Sequence, residues 1–129
     1  MRADKPQYQN LAGGRTYKVG ITGTGAADPT KRHGPGITVT RTAAGVYKFS
    51  FASHPGTLLG FKPSFGADTP SAVKGYTATR DTYTAPSGST DGYVEVSVWD
   101  STFTAADLAA LQYLDLEFEF TEVKSDLHV

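Results

Sequence analysis

The sequence predicts an all-β protein, an antiparallel β-sandwich or flattened barrel of six to seven strands with one short helix. Three observations carry that prediction. Apolar and polar residues alternate along several segments with the two-residue period of a strand. Gly 14 and Pro 7 in 129 residues, with abundant Thr, punctuate those segments with turns. Each segment is apolar on one side only, so two layers must stack to bury the apolar sides.

Residues 1–14, MRADKPQYQNLAGG, are polar and end in a glycine pair. They are read as a flexible N-terminal arm preceding a β-sandwich domain over 15–129. A disordered leader and an arm that orders only against a partner both fit this composition. From Arg15 the pattern changes, and Tyr17, Val19 and Ile21 alternate with Thr16, Lys18 and Thr22 to give a first strand. Residues 23–36 form a long loop dense in turn residues.

GITVTRTAAGVYKFSF at 36–51 predicts a hairpin around Ala43-Ala44-Gly45. A three-residue loop of this kind needs a residue at positive φ, and Gly45 supplies it without a Cβ clash. Pairing Thr42 with Val46 sets Arg41 opposite Tyr47, Val39 opposite Phe49 and Ile37 opposite Phe51 on one face. Thr38, Thr40, Lys48 and Ser50 take the other face.

TLLGFKPSF at 57–65 suits an edge strand with Leu59 and Phe61 on one side, because Pro63 cannot donate to a ladder. Residues 72–84 carry β-formers without clean alternation and fit a doubly exposed strand or an extended loop. Residues 85–92 are a turn cluster. YVEVSVWD then places Val94, Val96 and Val98 opposite Tyr93, Glu95, Ser97 and Trp99. At 105–111 helix-forming residues follow Thr104, a possible N-cap with Asp107 three residues on. The last segment alternates Leu114, Leu116, Phe118 and Phe120 with Asp115, Glu117, Glu119 and Thr121. Three acids on one strand face repel a like-charged neighbour, and Lys48 and Arg41 are available to lie beside them.

Composition bounds the function. One domain is expected, large enough to bury roughly two-thirds of its unfolded surface. With no Cys, disulfides, thiolate metal sites and a cysteine nucleophile are excluded, which suits assembly in a reducing cytoplasm. A formal net charge of −1 gives no long-range attraction to nucleic acid or anionic lipid. No apolar run approaches the roughly 20 residues of a membrane span, and the first ten residues lack a signal peptide's apolar core.

Catalytic patterns are weak. GITGTGAAD at 20–28 has the glycines of a phosphate loop but leads to Pro29 and a basic loop, with no helix N-terminus to hold an anion. No G-x-S-x-G element occurs. Glu117 and Glu119 share one strand face, whereas a glycosidase pair faces across a cleft. No cofactor is expected. His33 and His54 meet at the open end of the hairpin if its register is extended outward, a weak candidate for a metal site or pH-sensitive contact; the alternative is two unrelated solvated side chains. The remaining candidates are Tyr76, Tyr83, Tyr93 and Trp99. Burial within the domain, a protein interface and stacking on sugar rings are the three readings of these rings.

The pattern V-x-R-T-x-x-G-x-Y-x-x-x-F, met at Val39, Arg41, Thr42, Gly45, Tyr47 and Phe51, is followed by the valine strand, an Ala-rich turn and a terminal aromatic strand. Over about residues 34–123 this resembles small structural proteins of tailed bacteriophages, the cement or head-fibre-type proteins that decorate capsids. The resemblance implies a non-enzymatic virion protein on the capsid exterior, assembled in the bacterial host cytoplasm. It implies the major capsid protein as partner and self-association as a trimer or dimer at a symmetry axis. It lends no active site. Arg2, Lys5, Tyr8 and Leu11 of the arm, with Tyr76, Tyr83, Tyr93 and Trp99, are the expected contact residues. A carbohydrate-binding or host-adhesion module, with a cell-surface glycan as ligand, is the alternative.

Overall fold

Alternation decides which side of each strand is buried. In the last strand Leu114, Leu116, Phe118 and Phe120 lie in the core, while Asp115, Glu117 and Glu119 turn outward. Val94, Val96 and Val98 are fully buried by the same rule. The computed structural model describes residues 15–53 and 56–121. It contains β1 (Arg15–Thr22), β2 (Thr30–His33), β3 (Ile37–Ala43), β4 (Val46–Phe51), β5 (Leu58–Ala67), β6 (Thr77–Arg80), β7 (Gly92–Trp99) and β8 (Gln112–Phe120). A 3-10 turn occupies Pro70–Val73. Two four-stranded antiparallel sheets, ordered β2-β1-β8-β5 and β3-β4-β7-β6, pack against each other.

The expected hairpin forms as β3 and β4. Ile37 faces Phe51, Val39 faces Phe49 and Arg41 faces Tyr47, and Gly45 adopts φ +71°. The register then shifts, so Ala43 rather than Thr42 stands opposite Val46. This bulge follows from the positive-φ residue closing the turn. β5 is an edge strand, as Pro63 requires, and Pro63 stays within the pairing opposite Leu116. A register irregularity between Leu58 and Gly60 turns Leu59 outward, so Leu58 joins Phe61 against the core in place of the expected Leu59.

Three other expectations change. An eighth strand appears inside the expected loop: β2 pairs with β1, holding Gly20 opposite His33 and Thr22 opposite Thr30. Residues 105–111 are not helical. The backbone N–H of Ala106 donates to Val98 O, Trp99 bridges Ala105, and the Leu108 N–H donates to the Tyr47 hydroxyl. Amides that a helix would use internally are engaged by β4 and β7. The neighbours of the acidic β8 face also differ. Glu117 stands between Lys18 of β1 and Lys62 of β5, whereas Lys48 stands opposite Glu95 in the other sheet.

Phe51 is the hub of the core. Its ring meets Tyr17, Phe118, Phe120 and Tyr83 edge-on, with centroids 5.2–6.1 Å apart. Edge-to-face packing of this kind adds to plain area burial. Turns gather at two ends. A Cβ on Gly45 would meet Ala106, one on Gly23 would meet Leu108, and one on Gly75 would meet Ser101, so the β1–β2, β3–β4, β5–β6 and β7–β8 connections share one end. At the opposite end Arg15 pairs with Phe120, and Thr57 and Thr121 exchange hydrogen bonds.

Candidate functional site

The shared loop end is built around Asp107. Its carboxylate receives hydrogen bonds from Arg41 Nε at 2.8 Å and Arg41 Nη2 at 3.0 Å, and from the Gly45 N–H at 2.8 Å. Those bonds, chiefly Arg41's, hold the Asp107 carboxyl below the ordinary carboxylate range, and the same pairing raises the Arg41 guanidinium. Asp28 accepts the Arg41 backbone N–H at 2.8 Å. Leu108, fully buried, plugs the space beneath. Its N–H donates to the Tyr47 hydroxyl at 2.8 Å and its carbonyl accepts from Gly25 N–H at 2.9 Å. Burial raises the Tyr47 phenol above its ordinary value. The β1–β2, β3–β4 and β7–β8 connections are thus tied into one cap.

Phe103 stands at the tip of the β7–β8 connection, 80% exposed and at φ +62°. Asp100 holds that turn. Its Oδ1 accepts from Thr102 N–H at 2.8 Å, Thr102 Oγ1 at 2.7 Å and Thr104 N–H at 3.1 Å, which lowers its carboxyl pKa. Leu111, at the other end of the connection, is also exposed and at positive φ. The pattern Asp100-x-Thr102-x-Thr104 was the available signal for this turn; with Thr104 read as a helix N-cap, the exposed Phe103 before it was missed.

The outer face of the β3-β4-β7-β6 sheet is a second surface. It carries Thr38, Thr40, Ser50, Ser97, Thr77 and Thr79, with Tyr93 near one end of β7 and Trp99 at the other. Trp99 Nε1 donates to Thr79 Oγ1 at 3.0 Å, which fixes the indole against β6. The Lys48 ammonium lies 4.2 Å from the centre of the Tyr93 ring. Lys48 and Glu95 stand opposite each other in register, so the charges on this face are balanced.

Tyr76 and Tyr83 do not join that face. Tyr76 packs on Phe65, and Tyr83 packs on Phe51 and Phe120, both as half-buried additions to the core. Their rings are engaged inside the domain, one of the three expected outcomes. The missed signal was their flanking sequence, which does not alternate and so gives no face.

His33 is brought to Asp115, with Nε2 3.3 Å from Oδ1, beside Arg32 Nη2 at 2.7 Å from the same oxygen. It lies on β2, in the sheet opposite the hairpin, so the outward extension of the hairpin register does not reach it. The chain leaves that register at Gly36, whose carbonyl still accepts from Ala52 N–H. His54, Arg2, Lys5, Tyr8 and Leu11 lie outside the described residues. Among the described residues, no group of three or more His, Asp or Glu is placed to hold a metal ion. A shallow groove of about 170 Å³ beside His33 is lined by Lys18, Lys62, Ser64, Asp115 and Glu117. Within it Lys18 and Lys62 stand in register on either side of Glu117, and Asp115 meets Arg32 and His33.

Comparisons with protein-family models, curated proteins and solved structures return no match.

Proposed function

We propose that this chain is a non-enzymatic structural protein that binds the outside of a tailed-phage capsid and stabilises it. The reading rests on the resemblance carried by Val39, Arg41, Thr42, Gly45, Tyr47 and Phe51. One structural observation favours it most: the β3-β4-β7-β6 sheet offers an open, charge-balanced face of hydroxyls bounded by Tyr93 and Trp99. Such a face makes many weak, directional contacts with another protein surface without desolvating unpaired charge. The major capsid protein is the partner, and copies gather as a trimer or dimer at a symmetry axis. Because binding favours only the assembled shell, many weak copies shift assembly toward it.

The same two rings support a second reading, a module that stacks on a cell-surface glycan. Co-sedimentation separates the two. The protein is mixed with phage particles lacking it, and with Trp99→Ala and Tyr93→Ala variants in parallel. Capsid binding predicts pelleting with tail-less heads that the variants weaken. Pelleting with host cells, lost in the same variants while heads are ignored, favours the glycan.

A further inference from the structure

The β7–β8 turn holds a bulky residue where the backbone disfavours one. A left-handed φ costs little for Gly or Asn, while for Phe it is strained. Phe103 adopts φ +62° with its ring 80% exposed, so no core packing offsets that strain. Asp100 locks the conformation from beneath through three hydrogen bonds, and the Phe103 N–H donates to Asp100 O at 3.0 Å. Asp100 N–H in turn donates to Thr104 O at 2.9 Å. The backbone that carries the ring is therefore held in one conformation, with little backbone freedom left to lose on binding. Strained, over-determined backbone holding an exposed aromatic is the pattern of an interface anchor.

The surroundings specify the partner. The four connections at this end carry Asp28, Asp68, Asp100 and Asp107 against Lys74. Arg41 neutralises Asp107, but Asp28, Asp68 and Asp100 bond to a backbone N–H, a phenol and hydroxyl or amide groups. The end is net acidic around an apolar tip. An anionic lipid surface is repelled by that charge, and a sugar offers no socket for a ring standing on a turn.

We propose that Phe103 is a preformed anchor that inserts into an apolar socket with a basic rim on the capsid shell protein. This deepens the proposed capsid attachment and rests on it. The socket supplies the burial that the ring lacks in the free protein, and its Lys or Arg residues meet the aspartates around the turn.

The test uses the full chain and phage particles lacking it. Phe103→Gly and Phe103→Asn both accept the left-handed φ, so both remain folded, and Phe103→Gly melts at the same temperature or about 2–6 °C higher. Particle affinity falls at least about 10-fold in both variants, and wild-type binding weakens as salt rises. Unchanged affinity in the variants, with wild type bound, overturns the anchor alone. A fall in melting temperature for Phe103→Gly also overturns it, because the ring then serves the fold. Wild type that ignores the particles overturns the capsid attachment and the anchor together. Phe103-dependent binding to phosphatidylserine vesicles replaces the protein socket with a lipid surface.

Discussion

Asp107 shows how one side chain replaces a helix. It occupies the N3 position of the helix expected after Thr104, where a carboxylate would cap that helix's own backbone. Arg41 offers it two charge-assisted hydrogen bonds and Gly45 N–H a third, and the segment stays extended. Its pKa is depressed in the folded protein, so its contribution is fully present above the ordinary carboxylate pKa. That contribution is lost as pH falls through the lowered folded value. Asp107→Asn should remove about 1–2 kcal/mol at neutral pH. It should also flatten the decline in stability below about pH 5. Denaturant melts of both proteins from pH 7 to pH 2 check this, and parallel acid limbs would contradict it.

Elements follow from alternation where one face is apolar and the other polar. β1, β3, β4, β7 and β8 were legible for that reason, and so was the inward face of each. β2, with TKRH, is exposed along its whole length and has no apolar face to reveal it. It forms because β1 has a free edge, where Lys31 pairs with Ile21. Leu59 shows a second limit, since a register irregularity exchanges faces without leaving a mark in the local pattern. The cap was illegible because the contacts of Asp107 at its centre join residues 62 to 66 positions apart. Gly45 was the part of it that could be read. Its φ is +71°, and a Cβ would press on the Ala106 backbone and Val98 O. Gly45→Ala should therefore cost at least about 2 kcal/mol, measured by urea unfolding; a cost below half of that would show the cap to be loose.

At the scale of the molecule, the apolar stripes are used up in joining the two sheets. Among the described residues, every member of the buried core lies between Val19 and Phe120. Removing residues 2–14 should thus leave the melting temperature within about 2 °C, while abolishing particle binding if the N-terminal segment supplies the proposed contacts. Calorimetry and co-sedimentation on one preparation read both, and a truncated protein that still binds fully removes the segment from the interface. Arg15 and Thr121 lie at one end of the body, and Phe103 stands at the other. Under the proposed attachment, the Phe103 end and the open sheet face are the described surfaces that would meet the shell. The central claim is that this outer surface grips a capsid. Electron cryo-imaging of phage heads with and without the protein tests it most directly. The account predicts extra density at symmetry-related positions on the shell exterior, with the Phe103 end seated against it. Identical heads in both preparations would contradict it.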